Sequence, residues 1–273
     1  MTSVSAALAG WDESDLEHDG SRRTVFTRGR GPGVVVIHEI PGITPEVLRF
    51  AERVVDAGFR VYLPHLFGTP GRPFSTGTVA VQMVRACISR EFHVLARNHA
   101  SPITRWLRGL CRSAFHECGG RGVGAVGMCL TGNFALALMV DERLMAPVLS
   151  QPSLPFPVTP SHRRALHLSP EELEVVRRRA AAGCGVLGLR FTRDPLCPPE
   201  RFERLRQELG GGFEAIEIDS SPGNPWGIPR TAHSVLTVDL VDRDGHPTRE
   251  ALERVLVFLR ERLGDVVPVE AGP

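Results

Sequence analysis

The residue best suited to covalent chemistry lies in the stretch Gly122-Val-Gly-Ala-Val-Gly-Met-Cys-Leu-Thr-Gly132. Val123 to Gly127 reads as a short buried strand of small and β-branched residues, and Asn133 to Val140 as a buried helix. The chain must reverse between them within a few residues, with Cys129 at the bend. A side chain there is lifted out of the sheet at the N-terminal end of a helix. That positive end favours thiolate over thiol, and the free N–H groups of the first turn can hold a developing oxyanion. This is the pattern of a nucleophile elbow with cysteine in place of the more usual serine. Gly127 supplies the bare backbone before the nucleophile. Thr131 breaks the pattern, because glycine is expected two residues after the nucleophile and comes one later, at Gly132. The bland alternative is a buried structural cysteine, a common core residue.

A cysteine nucleophile needs a base, and the base needs a group to orient it. Asp194 follows a strand ending at Phe191, and His233 ends a long loop rich in proline. Taken singly, Asp194 is a turn aspartate before Pro195 and His233 is one of ten histidines. Together with Cys129 they fall at successive strand ends, which is where a catalytic constellation would assemble.

The elements that must position these groups alternate along the chain. Gly33 to His38 is a continuous apolar run, the mark of a strand covered on both faces. A loop, Glu39-Ile-Pro-Gly-Ile, leads to a helix opened by Thr44-Pro45 and stopped by Gly58; Phe59 to Pro64 is the next strand. Amphipathic helices are expected over Thr78 to Asn98 and Pro102 to Cys118. After the elbow helix, Met145 to Ser150 is a strand, and the prolines at 152, 155, 157 and 160 keep the following segment irregular, placed to wall a pocket. Ser169-Pro-Glu-Glu172 is a capping box with proline at N1. A strand over 185–191, a helix over 199–209, a strand over 213–219 and a C-terminal helix over 248–262 follow. Arg22 to Arg28 reads as an edge strand, and Val235 to Val241 as a further strand. The expected architecture is one α/β domain spanning residues 1–273, a mostly parallel sheet with helices on both faces, preceded by a loosely held arm over residues 1–21. In such sheets chemistry lies beyond the C-terminal strand ends.

Composition narrows the function classes. The 273 residues are 42% hydrophobic and 23% charged, with a net charge of +1, so there is no electrostatic footprint for nucleic acid or an acidic membrane surface. No apolar run approaches the roughly 20 residues needed to span a bilayer. The six cysteines, at 87, 111, 118, 129, 184 and 197, show neither CxxC pairing nor regular spacing and read as reduced thiols of a cytoplasmic protein. No Cys/His cluster has zinc-ligand spacing, and no metal or organic cofactor is expected.

Four stretches carry a resemblance: Gly33-Val-Val-Val-Ile-His-Glu-Ile-Pro-Gly42, Gly127-Met-Cys-Leu-Thr-Gly132, Thr192-Arg-Asp-Pro195 and Ala232-His-Ser234. Their order of nucleophile, acid and histidine is that of α/β-hydrolases. The chain resembles the dienelactone hydrolase family of that superfamily from about residue 22 to the C-terminal helix. The resemblance implies an α/β-hydrolase fold acting on a small-molecule ester or lactone. Cys129 would be the nucleophile, His233 the general base and Asp194 its orienter. It also implies that Glu39 lies beside the thiol and helps control its protonation, and that the N–H groups of Ile40 and Leu130 form the oxyanion hole. Read without the resemblance, Glu39 is a polar residue ending a strand.

Two departures bear on the substrate and on activity. Thr131 stands where the family carries glycine. Ser-Val-Leu-Thr follows His233 where an arginine commonly grips a substrate carboxylate. Arg72, Arg85, Arg90, Arg193 and Arg230 are the candidate substitutes. The competing reading is a hydrolase-like protein that binds a small molecule or a partner without turnover.

Overall fold

The computed structural model describes residues 7–73, 75, 77 and 101–264. Eight strands form one sheet in the order β1-β2-β4-β3-β5-β6-β7-β8. They are β1 (Asp12–His18), β2 (Ser21–Arg28), β3 (Gly33–Ile37), β4 (Arg60–Pro64), β5 (Val123–Met128), β6 (Leu144–Ser150), β7 (Val186–Phe191) and β8 (Phe213–Ile218). The helices among the described residues are α1 (Pro45–Asp56), α2 (Pro102–Cys118), α3 (Gly132–Leu138), α4 (Pro160–Arg164), α5 (Pro170–Ala181), α6 (Pro199–Leu209) and α7 (Pro247–Leu263). The β1–β2 and β2–β4 pairs are antiparallel, and the ladders from β4 through β3 to β8 are parallel. This is the expected α/β-hydrolase architecture.

The apolar run of β3 is explained by two cores. Val35 and Ile37 point to one face and pack with Trp106, Leu107 and Leu110 of α2 and with α3. Val34 and Val36 point to the other and pack with Phe50 and Val54 of α1 and with Val255, Phe258 and Leu259 of α7. All five residues of β3 are buried, so an alternating pattern would have left polar groups under a helix. The expected caps hold as well. The Thr44 hydroxyl accepts from the Val47 N–H at the start of α1. The Ser169 hydroxyl accepts from the Glu172 N–H, whose carboxylate accepts from the Ser169 N–H.

Several expectations are corrected. Residues 12–18 of the expected arm are a strand, β1, so β2 is an inner strand and β1 the edge. Seven residues of β2 face it in register, the Trp106 indole donates to the Leu16 carbonyl at 3.3 Å, and the His18 ring bonds the Ser113 hydroxyl at 3.1 Å. Val235 to Val241 is not a strand. Thr237 and Asp239 both turn their N–H groups back to the Ser234 carbonyl, while Val235 and Leu236 are buried as apolar anchors. The proline-rich segment contains the short helix α4, opened by Thr159, whose hydroxyl accepts from the His162 N–H. The helix expected over 78–98 lies outside the described residues. Among the described residues, no helix is long and apolar enough to cross a membrane.

The parallel register decides what meets at the C-terminal edge. Ile37 pairs with Gly127, Gly127 with Leu149, Met128 with Ser150, and Ser150 with Leu189. The next residues of β3, β5, β6 and β7 therefore leave the sheet side by side. They carry Glu39, Cys129, Gln151 and Asp194.

Candidate active site

Cys129 is 5% exposed and has φ 54°, in the left-handed region where side chains are strained. It opens a 3-10 turn, Cys129–Thr131, that runs into α3. The bend is tight. A Cβ on Gly127 would stand 2.4 Å from the Thr131 carbonyl oxygen, and one on Gly132 would stand 2.5 Å from the Pro152 Cα. Both glycines are therefore demanded by close backbone approach, and the one expected two residues after the cysteine is supplied by Gly132 instead. The Cys129 carbonyl is fixed by the Ser153 N–H at 2.9 Å. Leu130 is the second residue of this turn, so its N–H points out of the helix start.

Asp194 sits in the turn after β7, 2% exposed. Its Oδ1 accepts from the Leu196 N–H at 2.9 Å, and its Oδ2 lies 2.7 Å from His233 Nδ1. With a carboxylate on that side, Nδ1 carries a proton and Nε2 is turned toward the elbow. Among the described residues Nε2 makes no hydrogen bond of ordinary geometry, yet the Cys129 sulfur is near enough to raise the affinity of the ring for a proton. Catalytic hydrogen bonds are often long before substrate binds. Burial alone would lower the imidazole pKa. The charge of Cys129 and the bond to Asp194 outweigh burial and hold His233 well above its ordinary value. The arrangement favours the protonated, imidazolium form of His233.

The backbone of His233 is held by a residue that the sequence reading did not single out. One oxygen of Asp239, Oδ2, accepts from both the His233 and the Ser234 N–H groups, each at 2.8 Å. An aspartate six residues beyond a histidine, in a segment without regular structure, was the available signal.

Glu39 is 3% exposed, two residues past the end of β3. Three groups converge on it: Thr237 Oγ1 on Oε1, Ser234 Oγ on Oε2 at 2.8 Å and Gln151 Nε2 on Oε2 at 3.2 Å. Burial pushes its pKa up. The Thr237 and Ser234 hydroxyls and the His233 charge pull against that, and Asp239 adds to it. Two residues of the Ser-Val-Leu-Thr departure thus grip the protein's own carboxylate. Ile40 follows directly, buried, with no acceptor for its N–H among the described residues. The preceding His38 is fully buried. Its Nδ1 donates to the Glu39 carbonyl at 3.1 Å and its Nε2 accepts from the Leu66 N–H at 3.1 Å, so the ring is neutral. Burial draws its pKa down to about 3.

The wall beyond β6 is stitched to α6 by Arg201, which is wholly buried. Its guanidinium donates to the carbonyls of Pro152 (2.6 Å), Pro155 (2.6 Å), His162 (3.0 Å) and Ala165 (3.1 Å). Burial lowers its pKa to about 10, so it stays charged at neutral pH. Of the candidate carboxylate-binding arginines, Arg193 and Arg230 are exposed, with Arg193 acting on Asp219. Arg72 rims a small cleft beside Pro41 and Gly42, and Arg85 and Arg90 lie outside the described residues. A larger groove, about 520 Å³, lies at the opposite end of the sheet against Gly183, Gly185 and Gly212 and holds none of the site residues.

The same fold occurs in solved structures. A candidate dienelactone hydrolase from Klebsiella pneumoniae is 16% identical, with a TM-score of 0.62 over 92% of this chain and 98% of its own. A dienelactone hydrolase-like promiscuous phosphotriesterase from metagenomic libraries is 18% identical, with a TM-score of 0.57 over 93% of this chain and 98% of its own. Dienelactone hydrolase from Anabaena variabilis is 14% identical, with a TM-score of 0.57 over 93% and 99%. At these identities the likeness is one of fold. No curated protein is detectably similar in sequence. The sequence matches the dienelactone hydrolase family over residues 23–263, a span that includes every site residue described above. The chain therefore belongs to the dienelactone hydrolase family, carboxylic ester hydrolases of the α/β-hydrolase fold.

Proposed function

We propose that the chain hydrolyses a small-molecule ester or lactone through an acyl-enzyme on Cys129. The observation that carries this is the 2.7 Å contact between His233 Nδ1 and Asp194 Oδ2, made beside a cysteine with φ 54°. The Cys129 thiolate adds to the substrate carbonyl, and the Ile40 and Leu130 N–H groups receive the oxyanion. Collapse of the tetrahedral adduct breaks the ester C–O bond. The His233 imidazolium gives its Nε2 proton to the departing alkoxide, which in a lactone stays tethered to the acyl group. The neutral imidazole then takes a proton from water, the hydroxide adds to the thioester, and the thiolate leaves with the carboxylic acid as product. Asp194 keeps the proton on Nδ1 throughout and stabilises the imidazolium. Glu39, held by Thr237, Ser234 and Gln151, fixes the loop that presents Ile40. The free thiols at 111, 118, 184 and 197 suit a reducing, cytoplasmic setting.

Cys129→Ala tests the reading. Turnover of p-nitrophenyl acetate is expected to fall about a thousandfold or more while the cooperative unfolding transition is retained. Turnover at the wild-type rate rejects Cys129 as the nucleophile.

A further inference from the structure

We infer that the Thr131 hydroxyl is a positioning group that locks the cysteine elbow to the strand exit carrying the Ile40 N–H. The inference rests on the proposed Cys129 chemistry. Thr131 is fully buried, and its Oγ1 accepts from the Met128 N–H at 3.0 Å. The same oxygen lies 2.8 Å from the Ile37 carbonyl, 2.9 Å from the Met128 carbonyl and 3.2 Å from the His38 carbonyl. A hydroxyl has one proton to give, and the Ile37 oxygen is the nearest acceptor. The backbone ladder between β3 and β5 ends at the Ile37–Gly127 pair. Just past that point β5 bends away to form the elbow, and the hydroxyl continues the connection that the backbone can no longer make.

The consequence for chemistry is geometric. The nucleophile is on the exit of β5 and one oxyanion donor is on the exit of β3, three residues past Ile37. A carbonyl carbon can be attacked and its oxygen stabilised together only if these two exits keep a fixed separation. Glycine at this position would leave the spacing to the ladder alone. Threonine adds a bond on the elbow side of the ladder's last pair, and its branched side chain has few rotamers to lose. The helix-to-backbone approach that such a glycine would otherwise allow is provided by Gly132 against Pro152.

The test uses the full chain with Thr131→Val, which keeps shape and removes the hydroxyl, Thr131→Ser, which keeps the hydroxyl, and Thr131→Gly. Two quantities are measured: kcat and KM on p-nitrophenyl acetate, and the rate of iodoacetamide alkylation at Cys129 by peptide mass mapping. Alkylation uses the sulfur but no oxyanion donor. The Val and Gly variants should lose about 10- to 100-fold in kcat with KM within about twofold. The Ser variant should stay within about threefold of wild type, and Cys129 should alkylate within about threefold of wild type in all of them. A Val variant with wild-type kcat overturns the inference. So does a Ser variant as slow as Val, or alkylation that falls in step with kcat. If the Val variant does not fold, the Gly and Ser variants decide by the same criteria. An active Cys129→Ala protein rejects the nucleophile assignment itself. An inactive one beside a normal Thr131→Val protein rejects only the role of the hydroxyl.

Discussion

Removing the Asp239 carboxylate isolates how much of the site depends on the backbone that carries the histidine. Asp239 touches neither Cys129 nor the His233 ring in the contacts described; it accepts two main-chain N–H bonds at 2.8 Å on one oxygen. A bond to a charged acceptor contributes roughly 1.5 to 3 kcal/mol where water is excluded. Asp239 is half-buried, so water recovers part of each bond, and Asp239→Ala should cost about 2 kcal/mol in total. The catalytic loss should be larger than that figure suggests. Freed N–H groups let the 233–234 backbone rotate, and a shift of about 1 Å at His233 costs up to about 100-fold in rate. Asp239→Asn retains an amide oxygen that can accept both bonds, so it should keep kcat within about fivefold and stability within about 1 kcal/mol. The assay is p-nitrophenyl acetate turnover beside urea denaturation. If Asp239→Ala keeps wild-type kcat, or if Asn fails as badly as Ala, the two backbone bonds do not hold the histidine in place.

Two further outcomes concern ionisation. Asp194→Asn should cut kcat by about 10² to 10⁴, since the amide no longer fixes the proton on Nδ1, and it should bring the His233 pKa down, read from its ring proton resonance. Because the folded-state pKa of His233 is raised, its contribution to stability is complete below about 6.5 and is lost as pH climbs through the folded value. Denaturation curves over alkaline pH should therefore decline less steeply in Asp194→Asn than in wild type. His38 has the opposite sign. Its folded-state pKa is lowered to about 3, so its contribution is complete above the ordinary histidine value and is lost as pH falls toward 3. Stability measured from pH 7 down to 4 should fall less steeply in His38→Asn; an unchanged slope would show that the buried ring does not resist protonation.

Local signals recovered most of the frame. Apolar runs exposed β3 and β5, because strands covered on both faces have nowhere to put polar residues. Thr44-Pro45 and Ser169-Pro170 marked helix starts by side-chain capping that is complete within four residues. β1 was missed for the converse reason: five of its seven side chains are exposed, so no hydrophobic period marks it, and what holds it is pairing with β2 and packing on α2. Val235 to Val241 misled because its β-branched residues suit a strand, while its hydrogen bonds run to turns of its own and to the side chains of Glu39, Gln151 and Thr248 rather than to a neighbouring strand. Cys129 and Asp194 lie just past β5 and β7, where their spacing from those strands put them, and His233 reaches Asp194 from the long loop after β8. The grip of Ser234 and Thr237 on Glu39 was not legible, since it joins residues 195 and 198 positions apart.

Arg201 has a consequence for redesign. Prolines at 152 and 155 lack the N–H groups that would let a neighbouring strand shape this wall, and one cation from α6 gathers its carbonyls instead. Main-chain oxygens are common to every amino acid, so the scaffold of the wall is indifferent to which side chains it bears. Substitutions at the half-buried Phe156 should therefore leave the frame standing, provided that the guanidinium stays.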